Sequence, residues 1–327
     1  MSENLLQIKN LSIEFRTFDG VVKAINGLNL ELPKGKTLGL VGETGAGKTT
    51  TALAVMGLVP TPPGVITSGE ILFDGRDLLK ADKKELQEYR GGRMAMIFQN
   101  PMTSLNPVYT VGQQIAGVIM QHQNLSKSDA MVKAGEMLEI VGIPKERLKN
   151  YPHEFSGGMK QRVCIAMGLA CNPSLLIADE PTTALDVTIQ AQILDLMKGL
   201  KEKYQTSTIF ITHALGVVAD IADYVAVIYA GSIIECGDLK SIFTNPSHPY
   251  TRGLFDCIPD IESEESRRLY VIRGAMPDPT KLPAGCKFCK RCDHAMDICA
   301  VKEPAEVKIG EIHTVRCHLY AGGEGNG

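Results

Sequence analysis

Thr37-Leu38-Gly39-Leu40-Val41-Gly42-Glu43-Thr44-Gly45-Ala46-Gly47-Lys48-Thr49 decides the fold. A short apolar run enters a loop that fits G-x-x-x-x-G-K-[ST], and a helix-forming stretch follows. That strand–loop–helix order lets bare glycine N–H groups curl around phosphate oxygens, aided by the positive end of the helix. In this pattern the lysine reaches the phosphates and the hydroxyl after it can hold Mg²⁺. The expected cradle is Gly42, Glu43, Thr44, Gly45, Ala46, Gly47, Lys48, Thr49 and Thr50.

Outward from this loop, Leu5 to Leu32 alternates apolar and polar residues around Asp19-Gly20, which suits an antiparallel hairpin. Ile71-Leu72-Phe73 followed by Asp74-Gly75 reads as a further strand and turn. Between residues 107 and 155 the texture turns helical, with Ser128 to Gly142 carrying apolar residues at helical spacing and a glycine stop. Thr188 to Leu200 is again helical, whereas Ser207 to Thr212 and Tyr224 to Tyr229 are nearly unbroken apolar runs of the kind found in buried parallel strands. Gly231 to Gly237 reads as a closing hairpin arm, and prolines punctuate the chain from about residue 238.

Two further constellations bear on chemistry. Leu175 to Ala178 is an apolar strand that ends in Asp179-Glu180. Beside a phosphate loop, the first acid positions Mg²⁺ and the second can orient and deprotonate a water. Phe155-Ser156-Gly157-Gly158-Met159-Lys160-Gln161-Arg162 opens a second helix with a serine cap and bare glycine N–H groups, which is also an anion site. One phosphate chain does not need two such helix starts in one subunit. The second is therefore expected to face a nucleotide held by another subunit.

Bulk properties narrow the class. The chain has 327 residues, 44% hydrophobic and 22% charged, and a net charge of −3, so nothing suggests a nucleic-acid partner. No apolar run reaches the ~18 residues of a membrane span, and Met1-Ser2-Glu3-Asn4 has no signal-peptide character. A cytosolic chain linked to a membrane only through partners is expected. Five of its nine cysteines, Cys286, Cys289, Cys292, Cys299 and Cys317, crowd the last part of the chain, which in a reducing compartment favours a metal or cluster over disulfides.

Taken together, these motifs resemble the nucleotide-binding domain of ATP-binding cassette (ABC) proteins across residues 5 to 236. Gly42 to Thr49 matches Walker A, Gln99 the Q-loop, and Ser156 to Gln161 the signature motif. Asp179-Glu180 matches Walker B, Ala184-Leu185-Asp186 the D-loop, and His213 the switch histidine. The resemblance implies an α/β P-loop NTPase (RecA-like) core with an N-terminal antiparallel β subdomain and a helical subdomain at about 100–160. It implies ATP with Mg²⁺ (held at Thr49, Gln99 and Asp179), Glu180 as base, His213 at the γ-phosphate, and Ser156 and Gly158 acting on the partner's nucleotide. Two departures stand out: Phe155 replaces the usual leucine, and Ala214 follows the histidine where aspartate is common. The adenine-stacking aromatic is expected at Phe18, although Thr17 holds the matching position and Phe15 flanks it.

Beyond a boundary placed at 237/238, Asn245-Pro246-Ser247-His248-Pro249-Tyr250-Thr251 and the cysteine tail resemble the region that follows the cassette in dipeptide/oligopeptide (nickel-peptide type) importers. This resemblance implies a peripheral ATPase subunit on the cytoplasmic face of the inner membrane. Its implied partners are a non-identical second cassette, two transmembrane permease subunits and an extracytoplasmic peptide-binding protein. It also implies Cys286, Cys292, Cys299 and Cys317 as ligands of a [4Fe–4S] cluster in a small C-terminal appendage, with Cys289 extra; four thiolates can equally hold Zn²⁺. Import of nickel or another solute is an alternative, as is a non-transport ABC ATPase of the iron–sulfur assembly type. No sustained heptads support a DNA-maintenance form.

Overall fold

The computed structural model describes residues 3–183, 185–257 and 271–321. Met1 and Ser2, Ala184 of the Ala184-Leu185-Asp186 segment, and the Gly322 to Gly327 tail lie outside the described residues. Strand β1 (Asn4–Thr17) folds back on β2 (Gly20–Pro33), paired from Asn4 opposite Pro33 to Thr17 opposite Gly20 with register shifts between Asn4 and Glu14. Next come β3 (Thr37–Val41) and, beyond the glycine loop, α1 (Lys48–Val55). β4 (Gly64–Phe73) and β5 (Arg76–Asp77) then extend the hairpin into a four-stranded sheet of order β2-β1-β4-β5.

After α2 (Lys83–Tyr89) and β6 (Met94–Ile97), the chain turns helical: α3 (Pro101–Ser104), α4 (Val111–Gln123), α5 (Lys127–Ile140) and α6 (Gly157–Leu169). Side-chain caps set these starts. Thr110 and Gln113 form a capping box on α4, Ser126 caps α5, and Ser156 caps α6. Strand–helix alternation then resumes with β7 (Leu175–Asp179), α7 (Val187–Tyr204), β8 (Ser207–Thr212), α8 (Leu215–Ile221), β9 (Tyr224–Tyr229) and β10 (Ser232–Asp238). Short elements close the chain: α9 (Leu239–Thr244), α10 (Pro249–Asp256), α11 (Asp297–Val301), β11 (Val307–Lys308) and β12 (Thr314–Val315).

The main sheet runs β11-β12-β10-β9-β3-β8-β7-β6, parallel from β9 to β6 and antiparallel beyond β9. Every residue of β3, β7 and β8 is buried, which explains their largely apolar character. All four catalytic candidates follow the carboxyl ends of these parallel strands: Lys48 after β3, Gln99 after β6, Glu180 after β7 and His213 after β8. Open α/β sheets place their ligands at that edge. The expected α/β core with its antiparallel subdomain and helical part is thus present.

The C-terminal residues differ from a separate appendage. Residue 237 lies inside β10, and β11 and β12 extend the main sheet past it. Tyr250, Ile272 and Phe288 join Val41, Val225 and Tyr229 in one buried cluster. Tyr229, Tyr250 and Phe288 meet in tilted and edge-to-face contacts with ring centroids 4.7, 5.3 and 5.4 Å apart. The tail's own apolar residues, Ile242, Phe243, Leu254 and Phe255 among them, pack into this shared core.

Glu235 explains the Ser247-His248 segment. Its side chain is fully buried on β10 and accepts from the N–H groups of Ser247 (2.6 Å) and His248 (2.9 Å), with His313 Nε2 at 2.8 Å. Burial works against its ionisation, but hydrogen bonds from His313, Ser247 and His248 outweigh it and hold the carboxyl below its ordinary value. His248 Nδ1 in turn accepts from the Tyr250 N–H at 3.0 Å, capping α10. Burial pushes the His248 imidazole down to about 4 from an ordinary 6.5. Between those values the unfolded chain binds a proton that the folded chain refuses, so stability falls as pH drops from 6.5 toward 4. The expected loss is about 3 kcal/mol for a shift of this size. Denaturant unfolding across that range should show this slope, and His248→Asn, which keeps a capping acceptor, should flatten it.

Candidate functional site

The glycine loop is built so that only glycine fits at its two ends. A Cβ on Gly42 would lie 2.3 Å from the Ile228 carbonyl oxygen. Gly47 has φ +110° and caps α1, and a Cβ there would lie 2.8 Å from Ile25 Cδ1. Just after them Lys48 folds back over the loop, with Nζ donating to the carbonyls of Gly42 (2.8 Å) and Glu43 (3.1 Å). Its side chain is 6% exposed, and burial lowers its pKa against the pull of Glu180, Asp179 and Glu43. The ammonium is thus parked where an anion in the loop can exchange for the two carbonyls.

Glu180 is the hub of the remaining groups. Its φ of 47° turns the side chain off the end of β7, and its N–H is fixed by the Ile211 carbonyl at 2.9 Å. Gln99 Nε2 and Thr183 Oγ1 donate to Oε2 at 2.9 and 3.0 Å, while His213 Nδ1 lies 3.3 Å and Lys48 Nζ 4.0 Å from Oε1. Asp179 lies behind it, 3% exposed. Burial raises the Asp179 pKa, and the Glu180 charge adds to this, against a hydrogen bond with Thr49 and the Lys48 charge. Asp179 Oδ1 is buried with no hydrogen-bond partner. An orphaned carboxylate oxygen beside a loop hydroxyl fits the hard-oxygen donor set of Mg²⁺.

These groups open onto a cavity of about 810 Å³. Of the expected cradle, Thr44, Gly45, Gly47, Lys48, Thr49 and Thr50 line it, together with Gln99, Glu180 and His213. Ala46 is buried beneath the loop. Glu43 turns away: its carboxylate takes Arg291 Nη1 at 2.9 and 3.2 Å, and its N–H donates to the Tyr250 hydroxyl at 3.0 Å. Ser156 and Gly158 are not among the lining residues; they sit at the start of α6, with Ser156 exposed.

Two expectations find no support in this geometry. Phe18 is fully exposed at the β1–β2 turn, and the aromatic lining the cavity is Phe15 on β1. Cys286, Cys292, Cys299 and Cys317 do come near one another, since their charges act on each other's ionisation and Cys286 N–H donates to the Cys299 carbonyl at 2.8 Å. Yet among the described residues no group of three or more His, Cys, Asp or Glu side chains is arranged to hold a metal ion. Burial, and then the neighbouring thiols, push the Cys286 thiol up to about 11. The described residues therefore give no support for a [4Fe–4S] cluster or for Zn²⁺.

The chain matches the ABC transporter family over residues 25–183 and the oligopeptide/dipeptide transporter C-terminal region over residues 234–299. It is 54% identical over 317 residues to the oligopeptide transport ATP-binding protein OppD of Bacillus subtilis, covering 96% of this chain and 88% of that one. It is 48% identical to the dipeptide transport ATP-binding protein DppD of the same organism, covering 97% and 95%. The chain belongs to the peptide-transporter ATP-binding proteins of the ABC family. Its fold is also that of the dimeric ATP-binding cassette MJ0796 bound to ADP and Pi, with a TM-score of 0.65 at 25% identity over 72% of this chain and 98% of that one.

For this ABC protein, sequence reading missed Thr183 on Glu180, the Tyr250 and Arg291 contacts to Glu43, and the stretch Met276 to Leu282 along the cavity. Tyr250 carried a signal in its His-Pro-Tyr context. Arg291 stood among cysteines that drew attention to metal chemistry instead.

Proposed function

We propose that this chain binds ATP in the cavity at the β3–α1 loop, hydrolyses it with Glu180 as the base, and so drives peptide import through membrane-embedded partners. The observation that carries this reading is Glu180 itself, held by Gln99, Thr183 and His213 with Lys48 4.0 Å away. Glu180 takes a proton from water as the water oxygen bonds to the γ-phosphorus and the bond to the β–γ bridging oxygen breaks, releasing ADP and phosphate. Lys48 and the loop N–H groups hold the phosphates, and His213 stands where it can bond the γ-phosphate. Mg²⁺, held by Thr49 and Asp179 with Gln99 nearby, supplies charge neutralisation when bound. No step passes through the cysteines.

Ser156 and Gly158 lie outside the chain's own cavity, so their N–H groups and the start of α6 serve a nucleotide on a second, non-identical cassette. Among the described residues no helix is long and apolar enough to cross a membrane, so two permease subunits provide the channel and a binding protein the peptide. Exposed Phe98, Met102, Val108 and Tyr109 cluster in sequence around Gln99 and α3 and suit a permease contact at the cytoplasmic face of the membrane.

Detergent extraction of membranes with a tagged full-length chain tests this assembly. Two membrane-spanning proteins and a second cassette should co-purify with it. In that complex, Ser156→Arg should slow hydrolysis by a factor on the order of 10² while the chain's own cavity keeps its ATP affinity. A chain that purifies alone and hydrolyses ATP at its full rate, with or without Ser156→Arg, would contradict the reading.

A further inference from the structure

We infer that the stretch Met276 to Leu282 is the wall against which the nucleobase packs, so that the C-terminal region is part of the nucleotide site. The inference rests on the ATP reading of the cavity. At one end of that cavity stand the loop, Glu180 and His213; the remaining lining residues include Phe15, Val22, Met276, Pro277, Pro279 and Leu282. The first group is polar and built for phosphates. The second is mostly apolar, with an aromatic ring, a thioether and two prolines beside Lys23 and Asp278, which suits the flat face of a base.

The wall is fixed in place. Lys23 N–H on β2 donates to the Pro279 carbonyl at 2.9 Å, so the stretch is pinned to the hairpin that carries Phe15 and Val22. Asp278 Oδ1 accepts from both N–H and hydroxyl of Thr280, at 2.8 and 2.7 Å, locking the turn around Pro279. Met276 packs on the two buried clusters that meet beneath it. Arg291 and Tyr250, from the same C-terminal region, hold Glu43 of the glycine loop. One region therefore supports the phosphate loop and supplies apolar surface for the base. A rigid wall of this kind orders the base without hydrogen bonds to it, through dispersion and water exclusion.

Equilibrium binding of ATP and of inorganic tripolyphosphate to the full chain separates the two ends. In a Met276→Ala/Leu282→Ala chain, ATP should bind about tenfold more weakly, which is about 1.4 kcal/mol, while tripolyphosphate, having no base, binds as before. Met276→Leu should restore most of the ATP affinity. Lys48→Ala should weaken both ligands. Unchanged ATP affinity in the double variant, or equal loss of both ligands, overturns the wall. If Lys48→Ala leaves both ligands bound as in the parent, the ATP reading of the cavity fails first.

Discussion

Glu180→Gln should bind ATP as tightly as the parent chain and hydrolyse it about 10²–10⁴-fold more slowly, the span typical of a removed general base. The amide keeps the volume and keeps an acceptor for Gln99 and Thr183, whose donors lie 2.9 and 3.0 Å from Oε2 in the parent. It cannot take the proton from water. Because Glu180 stands 4.0 Å from Lys48, the change also removes a negative charge from the phosphate end, so ATP affinity should hold or rise. Single-turnover hydrolysis and nucleotide affinity, measured separately in the purified transporter, check both halves. Hydrolysis at the parental rate would remove Glu180 from its assigned role.

The second large effect lies away from the chemistry. Glu235→Ala should destabilise the chain by about 3–5 kcal/mol, because it leaves the Ser247 and His248 N–H groups and His313 buried without their acceptor. That is a sizeable part of the ~5–15 kcal/mol that holds an ordinary domain together. The loss should appear in denaturant unfolding and should loosen α10, whose Tyr250 reaches the phosphate loop through the Glu43 N–H at 3.0 Å. Glu235→Gln retains one acceptor oxygen and should cost less. A Glu235→Ala chain as stable as the parent would show that the buried carboxylate organises nothing.

The cassette was legible because its signals are local. Glycine at Gly42 and Gly47 answers to steric demands of a single loop. β3, β7 and β8 are buried throughout, so their apolar runs stand out without any alternation to decode. Phe15 and Phe18 show where local reading stops. Both flank the matched position, and only the turn at Phe18-Asp19 and the pairing of Phe15 with Val22 decide which ring meets the cavity. Met276 to Leu282 reach β2 from more than 250 positions along the chain, a distance that spacing and periodicity do not encode. The cysteines carry a signal of a related kind: their density in sequence suggests a metal centre, for which the described residues give no support. Arg291, between two of those cysteines, is bound instead to the phosphate loop.

The central claim, that Glu180 in this chain powers peptide movement, is tested most directly by peptide uptake in proteoliposomes carrying the co-purified complex, with the binding protein and labelled peptide on one side and Mg²⁺-ATP on the other. Peptide should cross only when ATP is present and should stop with Glu180→Gln in this chain. Uptake that proceeds undiminished in the Glu180→Gln complex, or ATP hydrolysis with no peptide crossing under any condition, would contradict it.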